Sequence, residues 1–388
     1  MTVKERERAR VAGERIVKIA SSFSYADADA PVHSILAELR EPYRDPVAVV
    51  DSSERVLGII VPEDLVEILG KPFGRDLLQR QAARDIMRTV ACFPYDEYIQ
   101  TARERVSAEI EDDPGRHFAL VDERNRFQGH VSAQDILTHA LNDYRRELRL
   151  STAIQNRLIP PYHAERSERV SLTCASVMAQ GVGGDYYFTR QYAQGKWFFC
   201  LCDISGKGIS ASVITAVLSG FLYSAHFGAP LEETVALLNR IVIGTFRLEK
   251  YLTGFFAKFD EESGELEYCD MGHSWFFAVE NRLMQQVSSQ ADNVPVGLVE
   301  SPEIIARTLR IAPGTVLALL SDGFVEQENR HGETFPLGEL GAIIADASDS
   351  GDDLVRAKVR ILERFFAFKG DVPQHDDISL LLFQYLDT

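Results

Sequence analysis

The chain has 388 residues, room for two or three cores, and carries 41 basic against 58 acidic side chains, a formal net charge of −17. That excess of carboxylates argues against unspecific binding to nucleic acid or to an anionic membrane, because their phosphates would be repelled. Five cysteines show no metal-ligand spacing and the charged start, Met1 to Arg10, has no apolar export core, so reduced thiols and a cytoplasmic location are expected.

The first 140 residues hold an internal repeat. Pro46-Val47-Ala48-Val49-Val50-Asp51 overlays His117-Phe118-Ala119-Leu120-Val121-Asp122 at an offset of 71, and the same offset relates Gly58 to Gly129 and Asp64 to Asp135. Upstream, Asp29 aligns with Asp96 at 67, which predicts a four-residue insertion near Glu111 to Arg116. Each copy reads as helix, strand, turn, strand, helix. The repeat resembles a tandem pair of CBS domains across residues 15 to 140. That resemblance implies an adenine nucleotide in the clefts between copies, with Asp135 and Asp64 on ribose hydroxyls and Ser132 assisting in the second copy, where the first has Val61. Both aspartates also suit the caps of the helices that follow them.

A helix is predicted from Ala133 to Leu158. Leu137, Leu141, Tyr144, Leu148, Ser151, Gln155 and Leu158 follow four-three spacing, and Pro160-Pro161 stops the run. The pattern fits a parallel two-helix linker in a homodimer, with Ser151 and Gln155 as polar breaks in its seam; one amphipathic helix lying on the following domain is the alternative.

Beyond the linker, four aspartates stand in glycine-marked contexts: Gly183-Gly184-Asp185, Asp203-Ile204-Ser205-Gly206-Lys207-Gly208, Ser321-Asp322-Gly323 and His375-Asp376-Asp377. Apolar runs lead into Asp203 and Asp322 and away from Asp377. Converging carboxylates at the tips of buried strands repel one another and call for a compensating cation, and oxygen ligands favour magnesium or manganese. Strands are predicted over Leu252 to Phe259, Leu266 to Met271, Phe276 to Val279 and Thr315 to Leu320, with helices over Ser210 to Leu222 and Leu231 to Phe246. Gly208 to Leu231 lacks charged residues, but its serines, glycines, His226 and Pro230 suit a helix buried against a sheet better than a membrane span.

These motifs, with Met271-Gly272-His273 and Pro295-Val296-Gly297-Leu298, resemble in order those of the PPM (protein phosphatase type 2C) serine/threonine phosphatases, in the SpoIIE/RsbU-like branch. The resemblance covers residues 150 to 388. It implies an α+β chain: a CBS α/β pair over 1–140, a helical linker over 141–161 and an αββα sandwich over 162–388. It also implies catalysis through Asp203, Asp322 and Asp376. Asp203 would bridge two Mn²⁺ or Mg²⁺ ions with help from the Ile204 carbonyl, Asp322 and Asp376 would hold the first ion, and Asp185 and Asp377 would support the site. Hydrolysis would proceed by activated water without a covalent enzyme intermediate. The implied substrate is a phosphoserine or phosphothreonine protein, an anti-sigma factor antagonist by kinship. No nucleic acid or membrane partner is expected.

Departures from the family pattern leave the leaving-group acid unassigned: Phe188 stands where an acidic residue is common, Ser205 where eukaryotic members have histidine. His273 has a suitable ordinary pKa for that role and Lys207 could meet substrate phosphate, although structural and solvated roles suit each as well. Two other functions fit parts of the sequence. Gly183-Gly184-Asp185-Tyr186-Tyr187 is superficially similar to a diguanylate cyclase signature, but Tyr186 replaces a needed carboxylate. The other is a nucleotide sensor whose degenerate phosphatase half only grips a phosphoprotein.

Overall fold

The computed structural model describes residues 2–39, 45–112, 116–206, 208–280, 283–287, 293–349 and 354–387. The chain divides into two compact units, Met1–Arg146 and Glu147–Thr388.

In the first unit, β1 (Val3–Glu5), β2 (Ser24–Asp27), β3 (Val47–Val50) and β4 (Val56–Ile60) form one sheet in that order, and β5 (Ala91–Pro94), β6 (His117–Val121) and β7 (Phe127–Ser132) form another. Its helices are α1 (Val32–Glu38), α2 (Pro62–Leu69), the short α3 (Gly74–Leu78) and α4 (Ala83–Ile86), α5 (Ile99–Asp112) and the start of α6 (Ala133–Leu158). The repeat expected from the sequence is visible residue by residue in the strand register. Val49 faces Gly58 and Leu120 faces Gly129, each pair followed by a bulge and then by Val50 opposite Val56 or Val121 opposite Phe127. The hairpin turns share their chemistry too. Asp51 accepts the N–H groups of Ser53 and Arg55 at 2.8 and 2.9 Å, and Asp122 those of Arg124 and Arg126 at 3.0 and 2.9 Å.

Each copy also has a leading strand, β2 or β5, that the sequence reading lacked. These strands pair in parallel with β3 and β6, Ala26 against Val49 and Phe93 against Leu120, which preserves the offset of 67. At four residues each they are too short for alternation to announce them; β5 buries only Phe93 fully. The insertion predicted near Glu111 to Arg116 falls partly outside the described residues.

His130, on β7, is buried, hydrogen-bonded to His117 at 2.8 Å and lies 3.3 Å from the Ser21 hydroxyl. Burial, and then the neighbouring His117, pull its pKa down from 6.5 to about 3. Between those values only the unfolded chain takes up the proton, so this residue should cost stability as pH falls below 6.5, at about 1.4 kcal/mol per pH unit at most. Denaturant melts of the first unit's transition between pH 7 and 5 should show this slope, and His130→Gln should flatten it; an unchanged slope in the variant would assign the effect elsewhere.

The second unit is a two-sheet sandwich. One sheet runs β10 (Tyr186–Ala193), β11 (Lys196–Ile204), β12 (Leu252–Asp260), β13 (Glu265–Met271) and β16 (Arg307–Arg310). The other runs β15 (Leu283–Gln286), β14 (Phe276–Glu280), β17 (Val316–Leu320), β18 (Ile378–Tyr385), β9 (Val170–Val177) and β8 (Tyr162–Arg166). Alternation decides which face each residue joins. Leu317, Leu319, Leu381 and Phe383 point into the core shared by the sheets, where Phe383 stacks on Phe199 with centroids 4.9 Å apart. Val316, Ala318, Leu320, Leu380 and Leu382 face α10 (Gly338–Asp349) and α11 (Leu354–Lys369). On the opposite side α7 (Ile209–Ser224) and α8 (Leu231–Phe246) cover the first sheet, and the one-turn α9 (Gly323–Glu326) follows β17. The αββα layering is therefore as the motifs implied. Helix α8 has the predicted bounds, and β12, β13, β14 and β17 fall within two residues of theirs. The uncharged run contains α7, which buries one face (Ala211, Ile214, Leu218 and Leu222) and leaves Val213 and Tyr223 exposed, and no helix among the described residues is long and apolar enough to cross a membrane.

Candidate active site

The site grows from the ends of four strands. Asp203 is the penultimate residue of β11, Asp185 immediately precedes β10, Asp322 stands at the N-cap position of α9 just beyond β17 without a side-chain capping bond, and Asp376 and Asp377 immediately precede β18. Neighbouring strands thus deliver carboxylates from both sheets to one end of the sandwich.

Asp185 is the most constrained. It is 2% exposed, and its Oδ2 has no hydrogen-bond partner. Burial raises its pKa well above the ordinary carboxylate range, and the charges of Asp203 and Asp377 raise it further, against hydrogen bonds from Ser379 and Ser321. An orphaned carboxylate oxygen beside two more carboxylates fits a divalent cation, which would satisfy the oxygen and reverse the repulsion. Among the described residues, no three acidic, imidazole or thiol groups already stand in ligating geometry.

Backbone contacts explain the glycines. A Cβ on Gly184 would lie 2.6 Å from the Ile204 carbonyl and 3.3 Å from Asp203 Oδ1, and one on Gly183 would collide with the Asp377 carboxylate. The loop can approach the acidic cluster this closely only without side chains. Asp377 holds the loop in place. Its Oδ1 accepts the Ala179 N–H at 2.8 Å and its Oδ2 the Gly184 N–H at 2.6 Å, while burial, its largest influence, raises its pKa. Its carboxylate is thus committed to backbone, which makes Asp377 a brace rather than an open ligand.

The structure therefore brings Asp185, Asp203, Ile204 and Asp377 together. Asp322 and Asp376 join through the pairing of β17 with β18, since the Ser321 N–H donates to the Ser379 carbonyl at 2.9 Å, the Ser379 N–H donates to the Ser321 Oγ at 2.8 Å, and Asp376 Oδ1 accepts the Asp377 N–H at 2.8 Å. Lys207 lies outside the described residues.

His273 does not fit an acid role. It is buried, with Nε2 unpartnered and a hydrogen bond to the Leu320 backbone, and burial pulls its pKa down to about 4. Ser205 exchanges hydrogen bonds with the Tyr251 backbone, its N–H to the carbonyl at 2.9 Å and its Oγ from the N–H at 3.1 Å. Phe188 packs among Phe198, Tyr223 and Phe227, filling core rather than lining the site.

Two site residues had no sequence signal. Lys250 donates to the Ser205 carbonyl at 3.0 Å and so stands against the Asp203 turn. Gln155, expected in a dimer seam, is instead 2% exposed and bonded to Gly183, its Nε2 donating to the carbonyl at 2.7 Å and its Oε1 accepting the N–H at 3.0 Å. In the first unit Asp135 and Ser132 form a reciprocal cap on α6, with Ser132 N–H and Oγ both 2.8 Å from Asp135 Oδ2 and Asp135 N–H 3.1 Å from Ser132 Oγ. Ser21 adds a bond to Asp135 at 2.7 Å, whereas Asp64 pairs with Arg88.

Carboxylates gathered at one end of an αββα sandwich define the PPM, or PP2C-type, class of protein serine/threonine phosphatase. The profile of the Stage II sporulation protein E (SpoIIE) family matches residues 193–386, half of the chain, and the chain belongs to that family. It is similar to the phosphoserine phosphatase RsbU of Bacillus subtilis, 21% identical over 243 residues that cover 62% of this chain and 70% of RsbU. It is also similar to Stage II sporulation protein E of the same organism, 24% identical over 52% of this chain but only 25% of that protein. Among solved structures, the PP2C domain of SiaA from Pseudomonas aeruginosa superposes with a TM-score of 0.53 at 17% identity, covering 63% of this chain and 98% of that domain; it supports the fold.

Proposed function

We propose that this chain removes phosphate from phosphoserine or phosphothreonine on a regulatory protein, an anti-sigma factor antagonist, in a reaction that depends on two Mn²⁺ or Mg²⁺ ions. The observation that carries the reading is the buried, unpartnered Oδ2 of Asp185 facing the charges of Asp203 and Asp377. Bound ions would supply Lewis-acid polarisation of the attacking water and charge neutralisation at the phosphoryl oxygens. The chain's residues have separate tasks in that scheme. Asp203, with the Ile204 carbonyl beside it, and Asp322 and Asp376 would provide ligand oxygens. Asp185 would add a partly dehydrated carboxylate, and Asp377 keeps the Gly183-Gly184 loop close enough for the others to converge. The name of RsbU, a phosphoserine phosphatase, supports the substrate class.

Incubation with phosphoserine peptides and with a phosphorylated anti-sigma factor antagonist tests the reading. Turnover should require added Mn²⁺ or Mg²⁺ and stop with chelator. No turnover of either substrate at any metal concentration would leave a phosphoprotein-binding module, and turnover of guanosine triphosphate instead would indicate a cyclase.

We further propose that residues 1–140 are a CBS pair, 141–161 a linker and 162–388 the phosphatase domain, and that two copies associate along α6. The exposed Leu137, Leu141 and Tyr144 at four-three spacing support a helix partner. Sedimentation should then give a dimer at micromolar concentration. An adenine nucleotide at the second copy would have to share the Asp135 carboxylate with its cap. Calorimetry should show Asp135→Ala weakening that nucleotide more than Asp64→Ala, and no heat with any adenine nucleotide would leave the repeat a scaffold.

A further inference from the structure

We infer that Gln155 is a positioning residue for the metal site, and that through it the last turns of α6 set the affinity for the ions. The inference rests on the metal-dependent reading above. Gln155 links helix and loop directly: its amide meets both backbone groups of Gly183, and the following residue, Gly184, gives its N–H to Asp377 and its carbonyl to the Ile204 N–H at 3.3 Å. Asp185 comes next in the chain. One side chain on α6 thus fixes the backbone from which a buried carboxylate is aimed at Asp203.

The chemistry is selective for glutamine. A side-chain amide is a donor and an acceptor at the spacing of a peptide group, so it can answer both groups of Gly183 at once. Asparagine is one methylene short, glutamate lacks the donor and would add a charge near the acidic cluster, and methionine has the length but bonds neither group. The contact is also latched from the far side, since the Tyr187 hydroxyl, two residues past Asp185, donates to the Pro160 carbonyl just beyond the helix, and Ile159 is buried in the core.

The same geometry makes the helix a control point. A helix advances 1.5 Å and turns 100° per residue, so a slip of α6 by one residue removes both bonds and leaves two backbone groups of a buried loop unpaired. Coupling of this kind is reciprocal: if the bonds raise ion affinity, bound ions must hold the helix more firmly. This replaces the expectation that Gln155 is a polar break in a dimer seam.

The test uses the full-length protein, with Mn²⁺ affinity measured by calorimetry well below the melting temperature and hydrogen exchange of residues 147–158 measured with and without Mn²⁺. Gln155→Met should weaken Mn²⁺ binding 10-fold or more, in line with other groups that orient ligands. It should also abolish the added protection that Mn²⁺ gives the helix. Gln155→Asn, able to keep one bond at most, should fall between and serves if the methionine variant does not fold. Val170→Ala, a core truncation at the start of β9, should lower stability and leave both readouts as in the wild type. If the Gln155 variants lose stability but bind Mn²⁺ with wild-type affinity, the residue is structural only and the inference is wrong. Absence of Mn²⁺ binding in the wild type would overturn the metal reading itself, and this inference with it.

Discussion

Asp203→Asn should lower phosphoserine hydrolysis by at least ~100-fold while the metal-free protein becomes no less stable. Groups that merely orient a metal ligand change activity 10- to 100-fold, so loss of a ligand charge shared between two ions should exceed that range. The stability half of the result follows from the site's own repulsion. Asp203 is one of the charges that push Asp185 above its ordinary pKa, and removing it relieves a buried carboxylate. Single-turnover assays at saturating Mn²⁺ and denaturant melts in chelator would measure the two effects. Wild-type turnover in the variant would remove Asp203 from the mechanism.

Gly183→Ala should be nearly as damaging, for a reason that involves no charge. The added methyl would collide with the Asp377 carboxylate, whose neighbours are backbone groups in a packed loop. Relief requires the loop or the brace to move, at about 1–3 kcal/mol of stability and with loss of the approach of Gly184 to Asp203. Gly220→Ala provides the contrast. Gly220 sits inside α7 with open space where its Cβ would be, so alanine there should stabilise by up to about 1 kcal/mol. Denaturation curves of the two variants, with Mn²⁺ titrations followed by calorimetry, should diverge in both quantities. A Gly183→Ala protein of normal stability and normal Mn²⁺ affinity would show that the loop yields freely and that the close approach is not required.

The sequence determined a great deal here by simple means. Continuous apolar runs ending at aspartate located β11 and β17, and the offset of 71 anticipated the matching register of β3 with β4 and β6 with β7 down to single pairs. The bounds of α6 match the expected Ala133 to Leu158, with Pro160 just past its end, and the structure adds the Ser132 cap that opens it. Such signals are local, and local chemistry writes them into neighbouring residues.

What only the tertiary structure decided is which polar groups spend their hydrogen bonds on backbone. Asp377 and Asp376 are adjacent and chemically alike in the sequence, yet the former is buried as a brace for residues 179 and 184, nearly two hundred positions away. His273 has an ordinary imidazole in the sequence and a buried, neutral one in the fold. Gln155 sits at a spacing that periodicity leaves open between a partner helix and the following domain, and the folded unit turns it onto Gly183. The physical reason is common to all three. Desolvation and long-range hydrogen bonds depend on what the chain brings back from far away, and spacing along the chain carries no record of that.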